Sequence, residues 1–247
     1  ESEENCREWQ KITSQSIPIE DIDSIVYKMP LEVYEEICKS RKTNGDNKFL
    51  KWIVEKDTAI LDFLLLAKTT EYVRNQRNSR WYYPSMQQGV RMTLEEIADK
   101  ALSNKDKRLH QRYLLQGIRA LFSLSRYEKC IEIWDKEVVR LPENNLMRRM
   151  IKPYIEGAKF HKKRSEKAVE LCVQEFRKIK SNQTHKICFV YFEYAVLLKR
   201  LNQMELSQKY LDLGYNLAKE NNFAYYTKNK DSVSVEDYLN GYEKYDE

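Results

Sequence analysis

Residues 119–143 read RALFSLSRYEKCIEIWDKEVVRLPE, and in this stretch two apolar helical patterns flank a short polar break. The break lies at Ser125. After it, Tyr127, Cys130 and Trp134 follow at spacings of three and four residues, which place them on one face of a helix. The stretch therefore predicts two helices joined by a short turn.

The composition of the whole chain favours the same all-helical architecture. Of 247 residues, 6 are Gly and 5 are Pro, well below the usual shares of roughly 7% and 5%. All-β folds need many tight turns, and tight turns need Gly and Pro. Their scarcity predicts long helices with few connections. The length is sufficient to bury a sizeable core, as one large domain or two small ones.

Counted from Gln111, the stretch resembles the tetratricopeptide repeat, a helix–turn–helix unit of about 34 residues. The first helix departs from that pattern, because Leu114 stands where the repeat has Trp and Ile118 where it has Gly or Ala. Gly117 lies one residue early. The second helix matches well, at the turn and at its aromatic, small and proline positions: Ser125, Tyr127, Cys130, Trp134 and Pro142.

Two looser copies follow, with Ala168 and Ser207 at the position of Cys130 and Ala195 at the small position facing Ser207. In the second copy, the turn between helices would fall at the basic segment 159–167 (KFHKKRSEK). The resemblance implies an all-α, right-handed solenoid of antiparallel helix pairs, in which facing small residues let the helices approach closely. Three generic helical hairpins are the alternative, and they are also all-α.

The predicted organisation has three parts, which are also compatible with one continuous domain. Residues 1–104 form an N-terminal helical region packed on the repeats of 105–226, and 227–247 form a C-terminal capping segment or tail. A short helix over 232–245 would cover the last pair. We expect helices in the N-terminal region over the following ranges: 17–27, 31–40, 49–55 with Asn47 as its cap, 57–74 with Asp57 as its cap, and 94–102 behind a Thr93–Glu96 capping box.

The run RNSRWYYPSM at 77–86 is aromatic-rich and does not recur in the repeats. Its candidate ligand-binding residues are Arg77, Arg80, Trp81, Tyr82 and Tyr83. Pro84 disfavours helical geometry at Tyr83, so a loop is predicted. In one interpretation Trp81 and Tyr82 fill the seam between the N-terminal helices and the repeats. In the other they are exposed and stack on a ligand such as a glycan.

The segments DFLLLAK (62–68) and NSRWYYP (78–84) are also similar to a group of helical-repeat proteins from Bacteroides-type bacteria, which tend to begin with a lipoprotein-type signal. The resemblance implies a cell-envelope location and no activity. Five cysteines, an odd number, argue against secretion. The location is therefore unknown, with the envelope favoured over the cytoplasm, and a leader or anchor ahead of Glu1 stays open. No transmembrane segment is predicted, because no apolar run reaches 18 residues.

The sequence carries no motif for catalysis. It contains no GxSxG elbow, no HExxH and no Gly-rich phosphate loop. Its three histidines are far apart, and no CxxC pair occurs. We therefore predict no catalytic residue, no cofactor, no metal and no enzymatic activity. Four of the cysteines lie in apolar helical patterns, which favours buried free thiols.

The leading functional hypothesis is a non-catalytic protein–protein interaction or scaffold module. In tetratricopeptide-like arrays the first helices line a concave groove that takes a peptide or a partner helix. In this chain those helices carry the cations Arg112, Arg119, Arg148, Arg149 and Lys152, which favours an acidic or extended protein partner. The net charge of +5 is too small to indicate nucleic-acid binding. The alternative is an envelope-associated glycan-binding protein that uses exposed aromatic residues.

Overall fold

The computed structural model describes residues 2–43, 45–79, 92–180 and 182–223. These residues form α-helices and no β-strand, so the all-α prediction is confirmed. None of the described helices is long and apolar enough to span a bilayer. The helices are α1 (Ser2–Ile12), α2 (Ile19–Asp23), α3 (Leu31–Ser40), α4 (Lys48–Glu55), α5 (Thr58–Ser79), α6 (Leu94–Leu102), α7 (His110–Ser123), α8 (Tyr127–Ile133), α9 (Leu146–Lys178), α10 (Thr184–Arg200) and α11 (Met204–Glu220). Two π-helical turns, Ser24–Lys28 and Trp134–Val138, continue α2 and α8.

The chain divides into two compact units. The first comprises Glu1–Leu124 and Ile133–Tyr154, and the second comprises Ser125–Glu132 and Ile155–Glu247. Helices α8 and α9 contribute residues to both units. The predicted divisions after residues 104 and 226 stay predictions, and the capping segment 227–247 lies outside the described residues.

Several helices begin at the cap residues that the sequence predicts. The Asn47 side chain accepts a hydrogen bond from the Leu50 N–H at 2.8 Å, one turn into α4. Thr93 and Glu96 form the predicted capping box of α6. The Thr93 N–H donates to Glu96 Oε2 at 2.7 Å, and the Glu96 N–H donates to Thr93 Oγ1 at 3.1 Å. Each such bond satisfies an orphan donor at a helix start and contributes about 1 kcal/mol. Local side-chain chemistry therefore sets these boundaries.

Helix α5 forms much of the core of the first unit. Ile60, Leu61 and Leu64 are all 3% exposed or less, and since neighbours on a helix point about 100° apart, this helix is buried on more than one side. It begins at Thr58, directly after Asp57, whose carboxylate pairs with Arg108. The helix runs on to Ser79, beyond the predicted end at residue 74.

The turn predicted at residues 159–167 is wrong, because α9 runs through this segment as one helix of 33 residues. The repeat pattern placed a turn there, but the segment contains no Gly, Pro or Asn to end a helix. Lys and Glu are good helix formers, and Lys162 pairs with Glu166 one turn later and with Glu128 of α8. The basic patch is therefore part of a helix surface.

In the first unit, α6 and α7 pack closely at Gly117. A Cβ atom added to Gly117 would lie 2.7 Å from Cδ2 of Leu102 on α6, so only a glycine fits without a shift. Leu102 and Gly117 therefore set the distance between these two helices. The repeat comparison treats Gly117 as a departure from its pattern, whereas the structure gives it a packing role.

In the second unit, α10 and α11 form an antiparallel pair around small residues. The Ser207 hydroxyl donates to the Ala195 carbonyl at 2.6 Å, which confirms that these two small positions face each other. Gly214, two turns after Ser207 on α11, lies against the buried ring of Phe192, about one turn before Ala195 on α10, and a Cβ at Gly214 would approach that ring to 2.8 Å. Small residues on both helices thus permit the close approach.

We expect Gly214→Ala to destabilise the protein by about 1–3 kcal/mol, because overpacking against Phe192 outweighs the gain in helix propensity of about 1 kcal/mol. Urea unfolding followed by circular dichroism measures the difference. Asn216→Ala, on an exposed position of the same helix, is the matched control and should be neutral or slightly stabilising. Equal stability of the two variants would contradict the packing role of Gly214.

The cysteines are free thiols, and four of the five are buried as predicted: Cys6, Cys130, Cys172 and Cys188. Burial raises the pKa of Cys130 and of Cys172 to about 12 and that of Cys188 to about 11. Cys38 is only partly buried, and burial also raises its pKa. Since the thiolate is the reactive form, the buried thiols are inert near neutral pH.

Titration of the native protein with a disulfide reagent at pH 8 should therefore show Cys38 reacting ahead of the other four thiols. Cys38→Ser should remove this first phase, and denaturant should release the buried thiols in both proteins. Two or more fast-reacting equivalents in the native protein would contradict the burial of the remaining cysteines.

Candidate functional site

The first unit contains a cavity of about 160 Å³ that combines apolar walls with cationic groups. Helices α1, α5, α7 and α9 and the π-helical turn after α2 all contribute to its lining. Its volume equals the liquid volume of about five water molecules, at roughly 30 Å³ each. Tyr27, 41% exposed, and the Glu71 side chain, 53% exposed, place one side of the cavity at the surface.

Helix α7 supplies three polar side chains to the cavity from one face. Arg112, Gln116 and Arg119 are four and three residues apart, a spacing that aligns side chains along a helix. Arg112 and Gln116 are only 6% and 4% exposed, and most of their neighbours along α7 are buried apolar residues. Buried polar residues at such positions are uncommon unless they are hydrogen-bonded or functional.

Arg112 is held by α1. Its Nη1 donates to Asn5 Oδ1 at 2.6 Å, and its guanidinium lies 3.8 Å from the centre of the buried Trp9 ring. Asn5 in turn donates from Nδ2 to the Tyr27 hydroxyl at 2.8 Å. Asn5 and Trp9 are four residues apart on α1, so one face of that helix provides both contacts. The Trp9 face and the Asn5 amide therefore fix the position of the guanidinium.

Arg112 has no carboxylate partner among the described residues. A guanidinium has five N–H donors, and Asn5 accepts from one of them. Burial lowers the pKa of Arg112 to about 10, an effect that the charge of Glu8 opposes. Because this pKa stays well above 7, Arg112 is a buried cation at neutral pH.

Two further cations line the same cavity. Lys68 donates to the Tyr27 carbonyl at 3.1 Å and contacts Glu71 at 3.4 Å. The Nε atom of Arg119 is buried without a partner in the described part of the chain, and its Nη1 lies 3.5 Å from Gln116 Oε1. Of the described residues that line the cavity, three are cationic and one, Glu71, is anionic. The local field therefore favours an anion.

The structure thus brings together two of the predicted binding residues, Arg112 and Arg119. Two others lie in the same unit but pair within it. Arg149 contacts both carboxylate oxygens of Glu4, and Arg148 donates to the Leu141 carbonyl and lies over the Trp134 ring. These contacts tie the start of α9 to neighbouring elements and give both arginines structural roles.

Of the remaining predicted residues, the structure describes the side chain of Lys152 alone, and Lys152 does not line the cavity. Lys152 is exposed on α9. Arg77 lies near the end of α5, with its side chain outside the described part. Arg80, Trp81, Tyr82 and Tyr83 lie outside the described residues, so both interpretations of that run stay predictions.

The sequence reasoning missed the contribution of α1, which was not predicted as a helix. Signals for it were present, since Glu3–Arg7 and Glu8–Lys11 are spaced as helical ion pairs and both pairs form. Cys6 and Trp9 mark its buried face. The hydrogen bond between Asn5 and Arg112 joins residues that are 107 positions apart, so no pattern of neighbouring residues in the sequence predicts it.

No protein-family model, curated protein or solved structure matches this chain. Within the described residues, no group of three or more His, Cys, Asp or Glu side chains is arranged to hold a metal ion. The cationic cavity is therefore the candidate site, on the strength of its own geometry.

We expect Asn5→Ala to destabilise the protein by about 1–3 kcal/mol, because it leaves both Arg112 and Tyr27 without a buried hydrogen-bond partner. In an Arg112→Met background the same change should be less harmful, since no buried charge remains to be satisfied. Urea unfolding of the wild type, the two single variants and the double variant gives the coupling free energy. Simply additive losses would show that the Asn5 amide does not support Arg112.

Proposed function

We propose that this chain is a non-catalytic interaction module that binds an acidic protein or peptide. The observation that carries the proposal is the imbalance of charge among the described residues of the cavity, where Lys68, Arg112 and Arg119 accompany one carboxylate, Glu71. A carboxylate from a partner would supply the missing negative charge. Charge-assisted hydrogen bonds of this kind are about twice as strong as neutral ones.

The proposal includes the architecture that the tetratricopeptide resemblance implies, a right-handed solenoid of antiparallel helix pairs. In support of it, α10 and α11 pair through Ala195 and Ser207, as the repeat pattern requires. The turn predicted at Ser125 lies between α7 and α8, and a turn at Asn202 joins α10 to α11. In such arrays first helices bind the partner, and α7 occupies that place in the first copy.

The proposed binding site is the cavity and not a broad basic groove, because Arg148 and Arg149 are already paired. Arg148 and Arg149 already contact Leu141 and Glu4, so a partner would have to displace these contacts. Among the described residues, by contrast, the Arg119 side chain has one long contact, with Gln116, and a buried Nε without a partner. It therefore has donors that a ligand could use. Glycan binding through Trp81, Tyr82 and Tyr83 stays a prediction, since these residues lie outside the described range.

A fluorescent hexaglutamate peptide provides a defined acidic probe for this proposal. We expect binding that weakens with salt and becomes at least about tenfold weaker in Arg119→Glu, because a cation–carboxylate hydrogen bond worth about 1.5–3 kcal/mol is lost. Fluorescence anisotropy gives the dissociation constants.

Arg140→Glu is the matched control, because Arg140 is exposed in the same unit, is absent from the cavity lining and undergoes the same change of charge. It should leave the affinity within about twofold of the wild type, given the small effect of exposed single charges. Circular dichroism of Arg119→Gln and Arg119→Glu checks that both fold. Equal weakening by the two charge reversals, or equal binding of hexaglutamine, would refute a specific acidic site.

A further inference from the structure

The cavity is too small for a peptide but large enough for a single chemical group. Small-molecule pockets usually measure roughly 300–1,000 Å³, whereas a cavity near 150 Å³ accommodates a ring the size of benzene. The volume here is about 160 Å³. One side chain, one chain terminus or one small molecule would fill it.

The lining divides into an apolar part and a cationic part. The apolar wall includes Trp9, Phe63 and Leu64, each of which is 4% exposed or less. The cationic part comes from Arg112, Arg119 and Lys68, and the other polar residues of the described lining are Asn5, Tyr27, Gln116 and Glu71. A ligand that satisfies both parts carries an anionic group on a short apolar body.

The geometry of the donors favours a carboxylate as that anionic group. Guanidinium is planar, and its paired N–H groups match the two oxygens of a carboxylate. Arg112 is only 6% exposed, and Asn5 and Trp9 already orient its guanidinium. A donor that is fixed before binding loses little conformational entropy on binding. Glu71 at the surface side pairs with Lys68, so Arg112 and Arg119 are the cations whose charge is left for a ligand.

We propose that this cavity is a site for a monocarboxylate carried on a short apolar group, in which Arg112 and Arg119 bind the carboxylate and Trp9, Phe63 and Leu64 enclose the apolar part. The inference rests on the proposed function and deepens it by naming the chemistry of the group that enters the cavity. Two sources share this chemistry. One is the C-terminal residue of a partner chain, and the other is a free aromatic or aliphatic acid.

Thermal unfolding with matched acid and amide pairs tests the inference. The small-molecule pair is 3-phenylpropionate and 3-phenylpropanamide, and the peptide pair is acetyl-Gly-Gly-Leu with a free carboxylate or a C-terminal amide. At a hundredfold excess over its Kd, a bound acid should raise the Tm by roughly 5–10 °C, and the corresponding amide by less than about 1 °C. A response to the peptide acid identifies a chain terminus as the source, and a response to 3-phenylpropionate alone identifies a free acid.

Two variants locate the effect in the cavity. Asn5→Asp places a carboxylate beside Arg112, so it should preserve the fold and abolish the response to acid by occupying the guanidinium internally. Arg119→Gln removes the second cation and should lower the affinity at least about tenfold, while Arg140→Gln should leave it unchanged. Circular dichroism confirms that each variant is folded.

The outcomes separate this inference from the proposed function. Equal responses to acid and amide, or an undiminished response in folded Asn5→Asp, would overturn the monocarboxylate site. Hexaglutamate binding without any response to the acids would also overturn it and leave the acidic-partner proposal standing. A response to an acid without hexaglutamate binding would support the site and remove the acidic-partner proposal.

Discussion

The first unit depends on a buried cation that is held by an aromatic ring and an amide instead of a carboxylate. Arg112 of α7 lies over Trp9 and donates to Asn5, so one side chain joins α7 to both positions on the same face of α1. Cation–π contacts strengthen when the charge is shielded from water, and here Trp9 is 1% exposed. Asn5 extends the connection to Tyr27. All four of these residues also line the cavity.

Elsewhere in the chain, small residues determine how closely helices approach. Gly117 meets Leu102 in the first unit, and Gly214 meets Phe192 in the second. The chain contains only 6 glycines, and both of these lie inside helices, where Gly is less favourable than Ala by about 1 kcal/mol. Close packing of the neighbouring side chain offsets that loss. The same principle therefore acts in both units through different residues.

The sequence predicted features that depend on neighbours along the chain and missed features that depend on distant ones. The Asn47 cap and the Thr93–Glu96 box are contained within four residues, so their chemistry is readable. The turn expected within 159–167 came from a repeat pattern, and local helix propensity overrode it. Arg112 and Arg119 were recognised as cations of one helix. The burial of Arg112 could not be predicted, because the residues that surround it, Asn5 and Trp9, lie more than a hundred residues away in the sequence.

The contrast between Arg149 and Arg119 explains why counting cations does not locate a binding site. Both were candidates on equal grounds, but Arg149 contacts both oxygens of Glu4 whereas Arg119 keeps a buried Nε without a partner. A paired surface arginine gains little from a further anion. Arg119 is partly exposed, but its buried Nε lacks the hydration that it has in the unfolded chain, so an anion that reached Nε would satisfy it. An anion bound at this Nε, as proposed above, would therefore stabilise the first unit through linkage.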